Sequence, residues 1–149
     1  MPRALTAVRT GAAADADALT AIFLAARAGM TYLPALHTDA ETRWWMEHVV
    51  LGGSRVLVAT SDGQPAGFAA IGPGTLKHLY VRPDAQRAGL GSALLEAAQA
   101  TEPSLVLHVF AQNAAAIRLY RRHGFAVTGG SDGSGNEEGL PDLEMTWRP

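Results

Sequence analysis

The sequence predicts an α/β fold, a mixed sheet with helices on both faces. Three observations predict it. The early β-type runs are joined by hairpin chemistry, with Ser61-Asp62-Gly63-Gln64 as the clearest turn. The later runs alternate with segments of helical periodicity. A glycine-rich turn, Gln86-Arg87-Ala88-Gly89-Leu90-Gly91, marks one strand-to-helix junction. The 149 residues suit one domain over 1–149 with a real core.

Residues 5–9 read as the first strand. Asp15 or Asp17 caps a helix whose apolar face is Leu19, Ile22, Phe23 and Ala26, and Gly29 ends it. Residues 30–37 form a loop rich in large side chains. Thr38 and Glu41 have capping-box spacing, so a second helix runs over 39–50 with Trp44, Trp45 and Met46. Gly52-Gly53 breaks it. Segments 55–60 and 65–71 pair as a hairpin, and 75–82 is the next strand. The helix after Gly89 buries Leu90, Ala93, Leu94 and Ala97. Strand 104–110, helix 114–123, strand 125–130 and strand 142–147 follow. The Gly/Ser-rich, acidic segment 131–139 reads as a mobile loop. The predicted order is β-α-α-β-β-β-α-β-α-β-β.

Hydrophobic residues make up 48% and charged residues 17%, as in a folded soluble chain. Lys+Arg 12 against Asp+Glu 14 leaves a net charge of -2, with no basic surplus for nucleic acid. Cysteine is absent, which excludes disulfides, thiolate metal sites and a cysteine nucleophile; no metal is expected. The N-terminal apolar run is too short for a signal peptide, and no run of ~18 apolar residues spans a membrane. A cytoplasmic protein is expected.

The run Leu79-Tyr80-Val81 feeds a Pro-containing connection that opens into Gln86-x-x-Gly89-x-Gly91 and Ser92, where a helix begins. Glycines let backbone N–H groups approach a ligand, and the helix N-terminus adds free donors and a positive dipole end. Together they suit a pyrophosphate. The spacing is neither the dinucleotide fingerprint nor a Walker A loop. A second buried-type strand, 105–110, then leads to Asn113, an Ala-rich helix, Tyr120 and Gly124-Phe125. Asn113 is a good N-cap, and Gly124 sits where a helix ends left-handed. Seven residues separate Asn113 from Tyr120, so both point to one side, ~10.5 Å apart along the axis.

In order and spacing these two segments resemble motifs A and B of the GCN5-related N-acetyltransferases. The element order is similar to that family's over nearly the whole chain. The resemblance implies acetyl-CoA as co-substrate and direct transfer of its acetyl group to a primary amine. It implies that the backbone of Leu79, Tyr80 and Val81 pairs with the pantetheine arm as an added strand would. It places the pyrophosphate on the amides of Gln86, Arg87, Ala88, Gly89, Leu90, Gly91 and Ser92, with the Arg87 side chain adding charge. Asn113 matches the asparagine near the pantetheine. Tyr120 matches the tyrosine beside the thioester sulfur, whose phenol, with a pKa of ~10, can protonate the departing thiolate.

Many family members carry Glu or His as general base on the strand before motif A; here those positions are Thr75, Lys77 and His78. His78 has the right unperturbed pKa, yet strand alternation points it away from Leu79 and Val81 unless a bulge shifts the parity. Glu137, Glu138, His37 and a water chain are rivals. On the acceptor side the resemblance points to 30–46 and 131–142, with Tyr32, His37, Trp44 and Glu137 as candidate substrate-binding residues. Trp44 and Trp45 are adjacent, so they cannot both face the core of one helix. The leading function is acetyl transfer to a small-molecule amine, with a homodimer as a possible assembly. The alternatives are a protein N-terminal acetyltransferase and a non-catalytic acyl-CoA-binding sensor.

Overall fold

The computed structural model describes residues 5–86 and 88–149. Strand β1 is Thr6–Thr10, followed by helix α1, Ala16–Ala28. Helix α2 starts at Asp39–Trp45, widens into a π turn at Met46–Val50 and ends in Leu51–Gly53. Then come β2 (Arg55–Ser61), β3 (Gln64–Gly72) and β4 (Thr75–Val81). Helix α3 (Leu90–Gln99), β5 (Leu105–Phe110), α4 (Ala114–Arg122), β6 (Ala126–Ser131) and β7 (Asp142–Trp147) complete the order. The expected succession of strands and helices holds. The strands form one seven-stranded sheet, β1-β2-β3-β4-β5-β7-β6. Only the β4–β5 contact is parallel.

Side-chain alternation builds a core on each face. Leu57, Ala59, Ala69 and Ile71 pack with Leu94 and Leu95 of α3 and with Leu107, Tyr120, Phe125 and Met145. Val56, Val58, Phe68 and Ala70 meet Leu19 and Ile22 of α1 and Met46 and Val50 of α2 on the other. The β2–β3 hairpin turns through Asp62 and Gly63 at φ 50° and 80°, the two positive angles that a tight two-residue turn requires. The capping box is present: Glu41 N donates to Thr38 Oγ1 at 3.1 Å and Thr38 N to Glu41 Oε1 at 2.8 Å.

Two local expectations are corrected. Neither Asp15 nor Asp17 caps α1 by a side-chain bond. The Asp15 carboxylate turns back to accept from Arg9 at 2.8 and 2.9 Å and from Ala12 N at 2.8 Å. Asp17 accepts from Arg43 Nε at 2.6 Å. Helix α2 does end at the Gly52-Gly53 pair, but three residues beyond the expected 50, because the π turn carries helical structure through Gly53.

Strand β4 carries a bulge. Ala70 lies opposite His78 and Ile71 opposite Leu76, so Lys77 is the extra residue. The bulge reverses parity along the strand. Leu76 points to the same face as Leu79 and Val81, whereas His78 and Tyr80 point toward α1 and α2. His78 thus stays opposite Leu79, as simple alternation predicts. Beyond the bulge β4 parts from β5: Thr75↔Val106 is their one registered pair.

The Arg9–Asp15 pair ties β1 to the start of α1, and hydrogen bonds from Arg9 hold the Asp15 carboxyl below its ordinary range. A depressed carboxylate pKa contributes stability above the unfolded-state value, lost as pH falls through the folded-state one. Asp15→Asn should therefore lower the melting temperature at pH 7. The gap from the parent should close as thermal melts are repeated below about pH 4.

Candidate active site

Where β4 and β5 separate, a cavity of about 220 Å³ opens. Its walls are Leu76 to Tyr80 on the β4 side, and Val109, Phe110, Asn113, Ala116 and Tyr120 on the other. Asn113 caps α4 by accepting from Ala116 N at 3.2 Å, which leaves its amide NH₂ for a ligand. Tyr120 is buried beside Phe125, ring centroids 5.7 Å apart. Burial first, and then Tyr80, push its pKa above the ordinary phenol value, so the ring holds its proton. The seven-residue spacing does bring Asn113 and Tyr120 to one cavity wall.

At the end of β4 the chain enters the glycine turn. Gly89 is left-handed, φ 78°, and caps α3, its carbonyl accepting from Ala93 N at 3.0 Å. A helix start leaves its first N–H groups without intrahelical partners. Gln86 Nε2 donates to Val81 O at 3.2 Å and ties the turn to the strand. Ala88 is exposed and Ser92 half-buried; Leu90 is buried in the core, so only its backbone faces outward. Arg87 lies outside the described residues. Gly91 differs in its reason: a Cβ there would come 3.1 Å from Leu119 Cδ2, so its bareness lets α3 lie against α4. A Cβ on Gly89 meets nothing within 4 Å.

A larger cavity, about 670 Å³, lies on the α1–α2 face. The two cavities share Met30, His78, Tyr80 and Glu138. Met30, Thr31 and residues 33–37, with Glu137 and Glu138 of the loop 132–141, line the larger one. Arg27 Nη2 donates to Glu138 Oε1 at 3.3 Å, and His37 Nε2 pairs with Glu137 Oε1. The loop expected to be mobile is instead braced. Asn136 bonds Leu140 through both ends of its amide, at 2.7 and 3.2 Å. Gly133, at φ 95°, packs so close that a Cβ would come 2.5 Å from the Leu140 backbone.

Of the four acceptor-side candidates, His37 and Glu137 line this cavity. Trp44 does not; it is 58% exposed and stacks on His48 at 4.8 Å. Trp45 takes the inward place, 5.1 Å from both Phe23 and His78. Tyr32 packs edge-on against Phe110 at 6.1 Å outside the cavity lining, its hydroxyl buried without a partner. His78 is half-buried; burial, then the cations Lys77 and Arg27, pull its pKa down to about 4. Arg27 escaped the sequence reading, and of the adjacent tryptophans Trp44 was taken for the site instead of Trp45. Arg27 had one signal, being the one basic residue in α1.

A family model described as Acetyltransferase (GNAT) domain matches residues 52–127. The chain belongs to the GNAT acetyltransferases. It is an N-acetyltransferase that uses acetyl-CoA. It is 34% identical over 118 residues to peptidyl-lysine N-acetyltransferase YiaC of Escherichia coli K12, covering 74% of this chain and 80% of the relative. It is 35% identical over 105 residues to the L-amino acid N-acyltransferase MnaT of the same organism, covering 60% of this chain and 61% of MnaT. In structure it resembles yncA of Salmonella typhimurium, described as an acetyltransferase and solved with acetyl-CoA. The TM-score is 0.70 at 29% identity, covering 96% of this chain and 93% of that one.

The residues present fit acetyl-CoA. The parted strands leave β4 backbone unpaired for an extended arm, and the Gly89 turn presents amides at an open helix start. Among the described residues no group of three His, Asp or Glu side chains could hold a metal, and no helix is long and apolar enough to cross a membrane.

Gly89→Val tests the turn. A valine at positive φ costs about 1–2 kcal/mol locally and puts methyl groups in the open space. Calorimetry on the folded variant should show acetyl-CoA affinity lowered by tenfold or more (roughly 1.4 kcal/mol). An unchanged affinity would remove the pyrophosphate from this turn.

Proposed function

We propose that the protein transfers the acetyl group of acetyl-CoA directly to a primary amine of a small molecule, in a ternary complex. The carrying observation is the larger cavity on the acceptor side. At about 670 Å³ it has the size of a small-ligand site. The Arg27–Glu138 ion pair and the His37–Glu137 contact stand in its wall and narrow the room for an extended peptide. Its wall carries the carboxylates of Asp39, Glu41, Glu137 and Glu138 against one guanidinium and two imidazoles, a balance that suits a cationic amine.

In this reading the backbone of Leu79, Tyr80 and Val81 and the amide of Asn113 hold the pantetheine arm. The amides from Gln86 through Ser92, with Arg87, hold the pyrophosphate. Tyr120 is the general acid, giving its phenolic proton to the departing sulfur. His37, Glu137 and Trp45 shape the acceptor side, Trp45 standing where Trp44 was expected. His78 is a wall residue. Accepting a proton would create an imidazolium that burial, Lys77 and Arg27 all disfavour.

A second reading has one observation behind it: YiaC, named a peptidyl-lysine N-acetyltransferase, is 34% identical. A lysine side chain is itself a cationic primary amine. Thiol release measured across a small-amine panel and a lysine-peptide panel separates the readings. Faster turnover on small amines is expected; turnover confined to peptides overturns the proposal.

Tyr120→Phe should lower kcat by ~10²-fold or more while the dissociation constant for acetyl-CoA stays put. A variant that keeps full turnover would strip Tyr120 of the acid role. His78→Gln should keep kcat within about tenfold, below the 10²–10⁴-fold that a general base supplies, with no inflection lost from the pH profile above about pH 5.

A further inference from the structure

We propose that Glu138 receives the acceptor's ammonium group and takes its proton during transfer, an inference that rests on the small-amine reading above. The geometry narrows the choice. An amine entering through the larger cavity meets the β4–β5 gap at a seam, where Met30, His78, Tyr80 and Glu138 line both cavities. Glu138 is the one carboxylate among the described residues in that set. Its side chain is 16% exposed and held by Arg27 at 3.3 Å, so it is oriented without being sealed off.

The other seam residues are unsuited. Met30 has no proton to exchange. Tyr80 is a phenol whose pKa burial raises, so it stays protonated near neutrality. The His78 imidazole offers no negative charge to an ammonium, and burial beside Lys77 and Arg27 disfavours its protonated form. Glu137, next in sequence, pairs with His37 farther up the larger cavity and does not line the gap.

The step balances. The ammonium gives one proton to the Glu138 carboxylate, which passes it to solvent along the open side of the cavity. The nitrogen lone pair then forms the C–N bond to the thioester carbon. The C–S pair leaves with sulfur, which takes the Tyr120 proton. The nitrogen's second proton goes to Glu138 and returns through the site to Tyr120. Two protons leave nitrogen, one ending on the thiol and one in bulk water. The groups facing Glu138 are Arg27 from α1, Tyr80 and His78 from β4, and the neighbouring Glu137–His37 pair.

The experiment uses the full chain, acetyl-CoA and the best small amine from the panel. Glu138→Gln keeps the shape and a hydrogen bond to Arg27. It should lose ~10²-fold or more in kcat/KM for the amine at pH 7, with melting temperature and acetyl-CoA affinity unchanged. The loss should shrink as pH rises toward the amine's own pKa, where the free base forms unaided. Glu138→Ala should regain part of its rate with added formate, which a bracing role alone would not produce. Equal turnover by parent and Glu138→Gln overturns the inference while leaving the small-amine reading intact. So does a deficit that is pH-independent and formate-insensitive. Parent enzyme that acetylates peptides but no small amine overturns the reading beneath it.

Discussion

Two parallel strands that share one registered pair leave a row of backbone donors and acceptors without strand partners inside the protein. Such groups are costly to bury unmade, so the gap between β4 and β5 must be filled by a ligand or by water. The rest of the site is arranged around that constraint. The flanking ladders are intact: β4 pairs along its length with β3, and all six residues of β5 pair with β7. The sheet therefore keeps the two strands in place on their outer sides while they diverge on the inner one. The bulge at Lys77 supplies the local bend. Helix α4, tied to the end of β5 by Asn113 N donating to Phe110 O at 2.9 Å, then brings Tyr120 to the gap.

The wall of the larger cavity is held by weaker bonds. The His37–Glu137 pair is more than half exposed at both ends, and such pairs contribute little in water. Arg27–Glu138 is better shielded, but its 3.3 Å contact is long for a charge-assisted bond. The loop's own shape depends on firmer features, the Asn136–Leu140 bonds and the close packing at Gly133. A loop that is rigid in itself and loosely attached to its neighbour is suited to admitting a substrate as a body. Arg27 also lies over the Phe23 ring at 5.2 Å, so the guanidinium keeps a partner if Glu138 turns to an incoming ammonium.

Short-range chemistry was legible in the sequence. The Thr38–Glu41 capping box, the Asp62-Gly63 turn and the Asn113 N-cap each depend on residues within four positions, and each stands as expected. The β4–α3 turn and the Asn113–Tyr120 spacing, both of which carry the family likeness, are local in the same sense. What escaped depends on partners far along the chain. Arg27 meets Glu138 across 111 residues and His37 meets Glu137 across 100, and no periodicity marks either pair. The bareness of Gly91 has a second reason that the glycine pattern could not show, the approach of Leu119 from another helix. Trp44 and Trp45 could not be told apart because the π turn that follows breaks the 3.6-residue register on which such choices rest.

Strand β4 is where the two halves of the chemistry meet, and its bulge explains how one strand serves both. With regular alternation throughout, Leu76 would share a face with His78 and Tyr80. The extra residue at Lys77 sends Leu76 to the α3 side with Leu79 and Val81, and leaves His78 and Tyr80 alone to face α1 and α2. One face of the strand thus packs against the helix that begins at the Gly89 turn. The other contributes to the larger cavity, with Tyr80 against Phe23 at 4.9 Å and His78 against Trp45 at 5.1 Å. The backbone between them, freed from β5, faces the gap. The two cavities are therefore joined across the edge of a single strand, with Met30, His78, Tyr80 and Glu138 lining both.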